Sequence, residues 1–112
     1  MKNELFNMIV EKRFKHCQEI FLPKNNEYSR NDDRLHNFKR AGQLMGTTPE
    51  KALLCMMLKH AVSILDIVDD AEKDILPKET TMKEKFSDIH NYLYLLEGLI
   101  EERRQAPREV IG

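Results

Sequence analysis

The sequence has no tryptophan and only two cysteines among its 112 residues. Two cysteines are too few for a disulfide framework or for a zinc site made of four cysteines, so cysteine usage fits a reducing compartment. Cys17 and Cys55 each lie among apolar neighbours. Because free cysteine is among the most buried residue types, we predict that both are core thiols.

Long hydrophobic runs are also missing. The longest mostly apolar stretch, residues 52–58, has seven residues, whereas a membrane-spanning helix needs roughly 20. The first residues lack the apolar core of a signal peptide. We therefore expect no membrane association and a cytoplasmic location.

Charge of one sign does not dominate, because 18 Lys and Arg stand against 19 Asp and Glu, for a net charge of −1. Residues 1–48 carry nine basic and six acidic side chains, a net charge of +3. Residues 49–112 carry nine basic and thirteen acidic side chains, a net charge of −4. A general nucleic-acid binder normally has a clear basic excess, so the composition argues against nucleic acid as the partner.

Apolar side chains recur at helical spacings through almost the whole chain, and no stretch alternates with the period of two that indicates a strand. Gly46 is a stop signal, Thr47 or Thr48 before Pro49 is a start signal, and Thr81 with Glu84 forms a capping box. We predict a single-domain, all-α bundle of about four helices, near residues 2–22, 32–45, 48–70 and 81–105.

The third predicted helix is apolar around most of its circumference, which is typical of a helix in the middle of a bundle. It also carries a polar row at spacings of four, three and four: Lys59, Ser63, Asp66 and Asp70. The fourth helix has a similar row: Glu84, Asp88 and Asn91. Facing carboxylates of this kind could supply oxygen ligands for Mg²⁺. A cap at Glu84 and a solvated helix end at Asp70 are the simpler interpretations of those two residues.

Motifs of other enzyme classes are absent. The four histidines form no His-Glu-x-x-His and no Glu-x-x-His arrangement, which argues against zinc and di-iron centres. No glycine-rich phosphate loop or Gly-x-Ser-x-Gly elbow occurs. Residues 41–54 imitate a helix-turn-helix, but the second helix would present Leu53 and Leu54 to a DNA groove rather than polar side chains.

Four short motifs together resemble small phage and prophage proteins related to the nucleotide modification associated domain: Lys24-Asn25-x-Glu27-Tyr28, Asn37-Phe38-Lys39, Lys59-His60, and Asp88-x-x-Asn91-Tyr92 followed by Leu95-Leu96. The chain is more remotely similar to MazG-like all-α nucleotide pyrophosphohydrolases, which hold Mg²⁺ with acidic pairs on two helices. Asp88 matches an acidic position of that pattern. The residue three positions before it is Lys85 instead of Glu, although Glu84 lies one turn before Asp88. The acidic pair of the earlier helix is absent, and its nearest substitutes are Asp66 with Asp69 or Asp70.

The resemblance implies a protein that binds a nucleotide and, as an enzyme, would be a Mg²⁺-dependent nucleotide pyrophosphohydrolase. In that hypothesis three carboxylates hold the metal: Asp66, Glu84 and Asp88. Lys59 would neutralise developing negative charge, and His60 would orient substrate or water. The substrate-binding candidates are the residues able to stack on a base or bond to it: Tyr28, Asn37, Phe38 and Asn91.

The alternative hypothesis is a non-enzymatic helical interaction module. In it the polar rows fix helix register or an interface, and the partner is a second copy of the chain or another host or phage protein. Because apolar residues lie on several faces of the predicted helices, we expect a homo-oligomer, most simply a dimer. The sequence leaves both hypotheses open.

Overall fold

A computed structural model of the protein describes residues 1–22 and 33–106. Four α-helices make up nearly all of these residues: α1 (Asn3–Phe21), α2 (His36–Met45), α3 (Pro49–Glu72) and α4 (Glu79–Gln105). No β-strand occurs within the two described segments. The predicted all-α bundle of four helices is therefore confirmed.

The start of α3 and the end of α2 follow the sequence signals. Thr48 has an extended backbone, its hydroxyl accepts the N–H of Lys51 at 3.2 Å, and Pro49 is the first helical residue. Gly46 ends α2 in the left-handed region with φ 67°. These two signals place α2 and α3 side by side, joined by a short connection.

Two other starts differ from the prediction. α4 begins at Glu79 after an extended Lys78 whose side chain makes no cap, so the expected capping box of Thr81 and Glu84 does not start the helix. α2 begins at His36 instead of near residue 32. Asp33 holds the chain in a turn before it, since its carboxylate accepts the N–H of Leu35 at 2.9 Å.

The core joins α2, α3 and α4. Phe38, Leu53 and Leu99 are buried at its centre, one from each helix. Partly buried apolar side chains surround them: Leu35, Met56, Tyr92, Leu95 and Leu96. This core aligns α3 and α4 along each other and positions the polar groups described below.

α1 lies outside that core and packs on α4. Cys17 is 3% exposed, and the ring centroids of Phe21 and Tyr94 are 6.0 Å apart. At the start of α4, the carboxylate of Glu79 lies 2.8 Å from Lys12 Nζ in the middle of α1. Cys17 is thus a buried thiol, as predicted, between α1 and the rest of the chain.

The prediction of a buried Cys55 is wrong, because its side chain is exposed. Residues 52–58 cover the whole circumference of α3, and only Ala52 and Leu53 of that stretch are fully buried. α3 packs against both α2 and α4, as its composition predicts, but none of the described residues covers its outer side. Along residues 1–22 and 33–106, no helix has the length and apolar character needed to cross a membrane.

Candidate functional site

A polar cluster lies where α3 and α4 meet above the core. His60 on α3 faces Asp88 on α4, with 3.6 Å between Nδ1 and Oδ2. The ring of His60 also lies 4.8 Å from that of Tyr92, centroid to centroid. Asp88 and Tyr92 are four residues apart on α4, so helical periodicity places both on the side that faces His60.

Tyr92 connects this cluster to the core. Its ring meets Phe38 edge-on, with centroids 6.3 Å apart. Phe38 is buried. The packing of Phe38 and Tyr92 therefore places the His60 ring beside the core.

Two further polar groups of α4 lie buried close by in sequence. Among the residues that the structure describes, Ser87 Oγ and Asn91 Oδ1 have no hydrogen-bond partner. Ser87 is 1% exposed. A buried polar atom without a partner costs free energy, so these two atoms are points at which the fold is locally destabilised.

The distance between His60 and Asp88 limits what the pair can do chemically. At 3.6 Å it is longer than a direct hydrogen bond, although close enough for attraction when the imidazole is protonated. A histidine and a carboxylate in this arrangement can exchange protons with a polar ligand or a bridging water.

The other predicted site residues are dispersed. Lys59 and Asp66 are exposed on α3, and Asn37 is exposed near the start of α2. Asp66 is six residues from His60, a rotation of about 120° away from the side that faces α4. Glu84 is exposed and lies 3.7 Å from Lys85 Nζ. Phe38 belongs to the core, and Tyr28 lies outside the described residues.

No group of three or more His, Cys, Asp or Glu side chains within residues 1–22 and 33–106 is placed to hold a metal ion. In this arrangement Asp66, Glu84 and Asp88 do not form a shared ligand set. That Mg²⁺ binds this protein stays a prediction.

Ion pairs close the end of the bundle where α2 and α3 meet the last turns of α4. Lys39 Nζ lies 2.7 Å from the carboxylates of both Asp33 and Glu102. Arg103 forms a two-point contact with Glu50 at the start of α3. Sequence reasoning missed the pairs with Glu102 and Arg103, because charges so far apart in the chain carry no periodic signal.

These contacts shift the pKa values of the groups involved. The hydrogen bond from Lys39 lowers the pKa of Asp33. The bonds to Asp33 and Glu102 raise the pKa of Lys39. The hydrogen bond from Arg103 lowers the pKa of Glu50.

The uncovered side of α3 is a second candidate site, of a different kind. Five apolar residues follow one another at spacings of four, three, four and three; we call them the outer seam: Leu54, Leu58, Ala61, Leu65 and Val68. Leu58 is 62% exposed and Leu65 is 60% exposed. α1 adds more apolar surface beside α4, where its half-exposed side chains line a groove of about 380 Å³ with Met82 and Phe86: Ile9, Val10 and Phe14.

Comparisons with protein-family models, with curated proteins and with solved structures found no match to this chain. The resemblance to phage proteins and to MazG-like enzymes stays a prediction. The two candidate sites of this chain, the polar cluster and the apolar surface of α1 and α3, therefore rest on its own geometry.

Proposed function

We propose that this chain is a non-enzymatic helical interaction module that acts as a homo-oligomer, most simply a dimer, in the cytoplasm. The observation that carries the proposal is the large exposed apolar surface of α1 and α3. A monomeric protein exposes single apolar side chains routinely, but contiguous apolar patches typically mark interaction surfaces.

The total surface supports the same conclusion. A compact monomer of 13.2 kDa is expected to expose about 6,400 Å², whereas this chain exposes 8925 Å². The radius of gyration is 17.3 Å, against about 13 Å expected for 112 residues. A surface and a radius above the values for a compact monomer support the proposal that this chain associates with further copies.

Sedimentation equilibrium tests the proposal directly. We expect a mass of twice 13.2 kDa at micromolar concentration, and a melting temperature that rises with protein concentration, because association stabilises only the folded chain. A monomer at every accessible concentration would contradict the proposal.

A second candidate function is nucleotide binding at the polar cluster. It is supported by the convergence of His60 with Asp88 and by the carbonyl oxygen of Asn91, which has no partner among the described residues. In this proposal Asp88 contributes a carboxylate to a Mg²⁺–nucleotide complex, as the resemblance to nucleotide-modifying proteins implies. The Mg²⁺ ion would neutralise the negative charge of the phosphates, and polar side chains of the cluster would bond to the base or the sugar.

Thermal melting with and without Mg²⁺ and a panel of nucleoside triphosphates tests this second candidate. Binding should raise the melting temperature of the wild type, and Asp88→Asn should abolish that rise while the variant stays folded. A wild-type melting temperature that no combination of metal and nucleotide changes would refute nucleotide binding. That result would leave the interaction module unaffected.

A further inference from the structure

The spacing of the outer seam matches helix-to-helix packing. Steps of four, three, four and three average 3.5 residues, which is the repeat that keeps one stripe facing a partner helix over several turns. From Leu54 to Val68 the stripe extends about 21 Å along α3. The surface is therefore shaped to pack lengthwise against another α-helix.

The other side of α3 shows that this stripe is additional to the core of the chain. Leu53, Met56 and His60 contact α2 or α4, and they lie on a different part of the helix circumference. Ala61 lies at the middle of the outer seam, where its small side chain allows two helix backbones to approach closely.

The charges of α3 are divided between its two halves. Residues 61–72 carry four carboxylates and no basic side chain: Asp66, Asp69, Asp70 and Glu72. Residues 49–60 carry Lys51 and Lys59, and their one acid, Glu50, is paired with Arg103. The first half of α3 thus has a net positive charge, and the second half has a net negative charge.

This division selects one orientation for two copies of α3. A parallel pair would place the acidic half of each helix beside the same acidic half of the other, and like charges in contact destabilise an interface. Lys51 and Glu72 continue the spacing of the outer seam beyond Leu54 and Val68, so an antiparallel pair brings each Lys51 close to the partner's Glu72. It also opposes the two helix dipoles. A two-fold axis near Ala61 produces this arrangement.

We infer that the partner in the proposed oligomer is a second copy of this chain, docked through the outer seam with the two α3 helices antiparallel. The inference rests on the proposed function and specifies its interface. A row of residues seven apart flanks the seam: Cys55, Val62 and Asp69. Under the two-fold axis this row meets its own reversed copy, so Cys55 lies opposite the partner's Asp69.

Thiol cross-linking of the full-length chain tests the orientation. In the antiparallel dimer the two Cys55 thiols are about 20 Å apart, because 14 residues of helix separate position 55 from position 69. A short bismaleimide whose span is under half that distance should not link wild-type chains. It should link most of the Asp69→Cys chains into covalent dimers, since Cys55 then faces the thiol introduced into the partner. Cys17 is buried and does not compete.

The double variant Cys55→Ser/Asp69→Cys is the matched control. It should remain uncross-linked, because the thiols at position 69 of the two chains are again far apart. Efficient linking of the wild type, or of the double variant, would mean a parallel pair and overturn the inference. A dimer by sedimentation that none of these variants links would place the interface elsewhere. In that case the proposed function stands and the inference falls, whereas a monomer at all concentrations removes both.

Substitution in the seam provides an independent check. Leu58→Asp should convert the dimer into a monomer at micromolar concentration, because it buries two carboxylates at the interface. Leu76→Asp is the control, since Leu76 is at least as exposed but lies in the connection after α3. Circular dichroism verifies that both variants fold. Equal association of the two variants would contradict the seam as the interface.

Discussion

At the scale of single residues, the buried hydroxyl of Ser87 leads to a prediction of increased stability. Ser87 Oγ is buried and lacks a hydrogen-bond partner within the described part of the chain, so its removal abolishes a desolvation cost without breaking a bond. Ser87→Ala should raise the free energy of unfolding by about 1 kcal/mol. Chemical denaturation of the wild type and the variant measures this change.

Ser63→Ala is the matched control, because Ser63 also lies within a helix but its hydroxyl donates to the carbonyl of Lys59 at 3.2 Å. Both changes gain the same helix propensity, so the difference between them isolates the buried hydroxyl. If Ser87→Ala stabilises the chain no more than the control does, or destabilises it, the hydroxyl has a partner in solution.

The residues of the polar cluster show how far sequence reasoning reached. Asp88 could be singled out because it lies too far inside α4 to act as a cap, and Asn91 because it lies one turn further along the helix. His60 was a candidate as well. Their relation to one another was not predictable, since periodicity gives the face of each helix but not the longitudinal register between two helices. Tyr92, which holds the cluster to the core, appeared only as part of a motif.

At the scale of secondary-structure elements, the contact between α2 and α3 depends on the absence of a side chain at Gly42. A Cβ atom there would lie 3.0 Å from three backbone atoms of the following connection and helix: Thr47 O, Thr48 C and Pro49 N. Gly42→Ala should therefore destabilise the chain by about 1–2 kcal/mol, despite alanine's higher helix propensity.

Gly98→Ala is the control for that prediction. Gly98 lies within α4, and an added Cβ would meet only Leu35, at 3.8 Å, which is an ordinary contact. The change should stabilise the chain by roughly 0.5–1 kcal/mol through helix propensity alone. The two variants should thus move the urea midpoint in opposite directions, and a shift in the same direction would contradict the close approach at Gly42.

The element boundaries also separate what local signals determine from what they do not. Thr48, Pro49 and Gly46 define ends of helices because each acts on the backbone beside it, and the structure agrees with them. Thr81 failed as a start signal because Lys78 already has the extended backbone from which α4 can begin. The exposure of one side of α3 could not be foreseen, since an apolar circumference predicts burial on every side and does not identify the side that the other helices leave open.

At the scale of the whole molecule, the ion pairs at the end of the bundle predict acid sensitivity. The folded-state pKa of Asp33 lies below its ordinary value of 3.8, and that of Glu50 below 4.5. Groups of this kind stabilise the fold above their unfolded pKa, and the contribution disappears as pH falls through the folded pKa. Lys39 has a raised pKa, so its contribution is complete at neutral pH and is lost only in strong alkali.

Glu50→Gln tests this loss of stability in acid. The variant should melt a few degrees below the wild type at pH 7, and the difference should shrink as pH falls below 4, where Glu50 becomes protonated in both folded and unfolded wild-type chains. The exposed Glu97 on α4 provides the comparison, and Glu97→Gln should melt like the wild type at either pH. A difference between Glu50→Gln and wild type that is independent of pH would contradict the assigned contact with Arg103.

If two copies dock as inferred, the outer seam links the survival of the chain to its copy number. A newly made chain that has not met a second copy leaves Leu58 and Leu65 open to proteases and chaperones, which act on exposed apolar segments. Pairing removes that surface, and mass action makes pairing more complete as the number of chains rises. If two copies dock as inferred, the amount of protein in a cell should increase more steeply than its rate of synthesis, with a threshold below which chains are degraded before they pair.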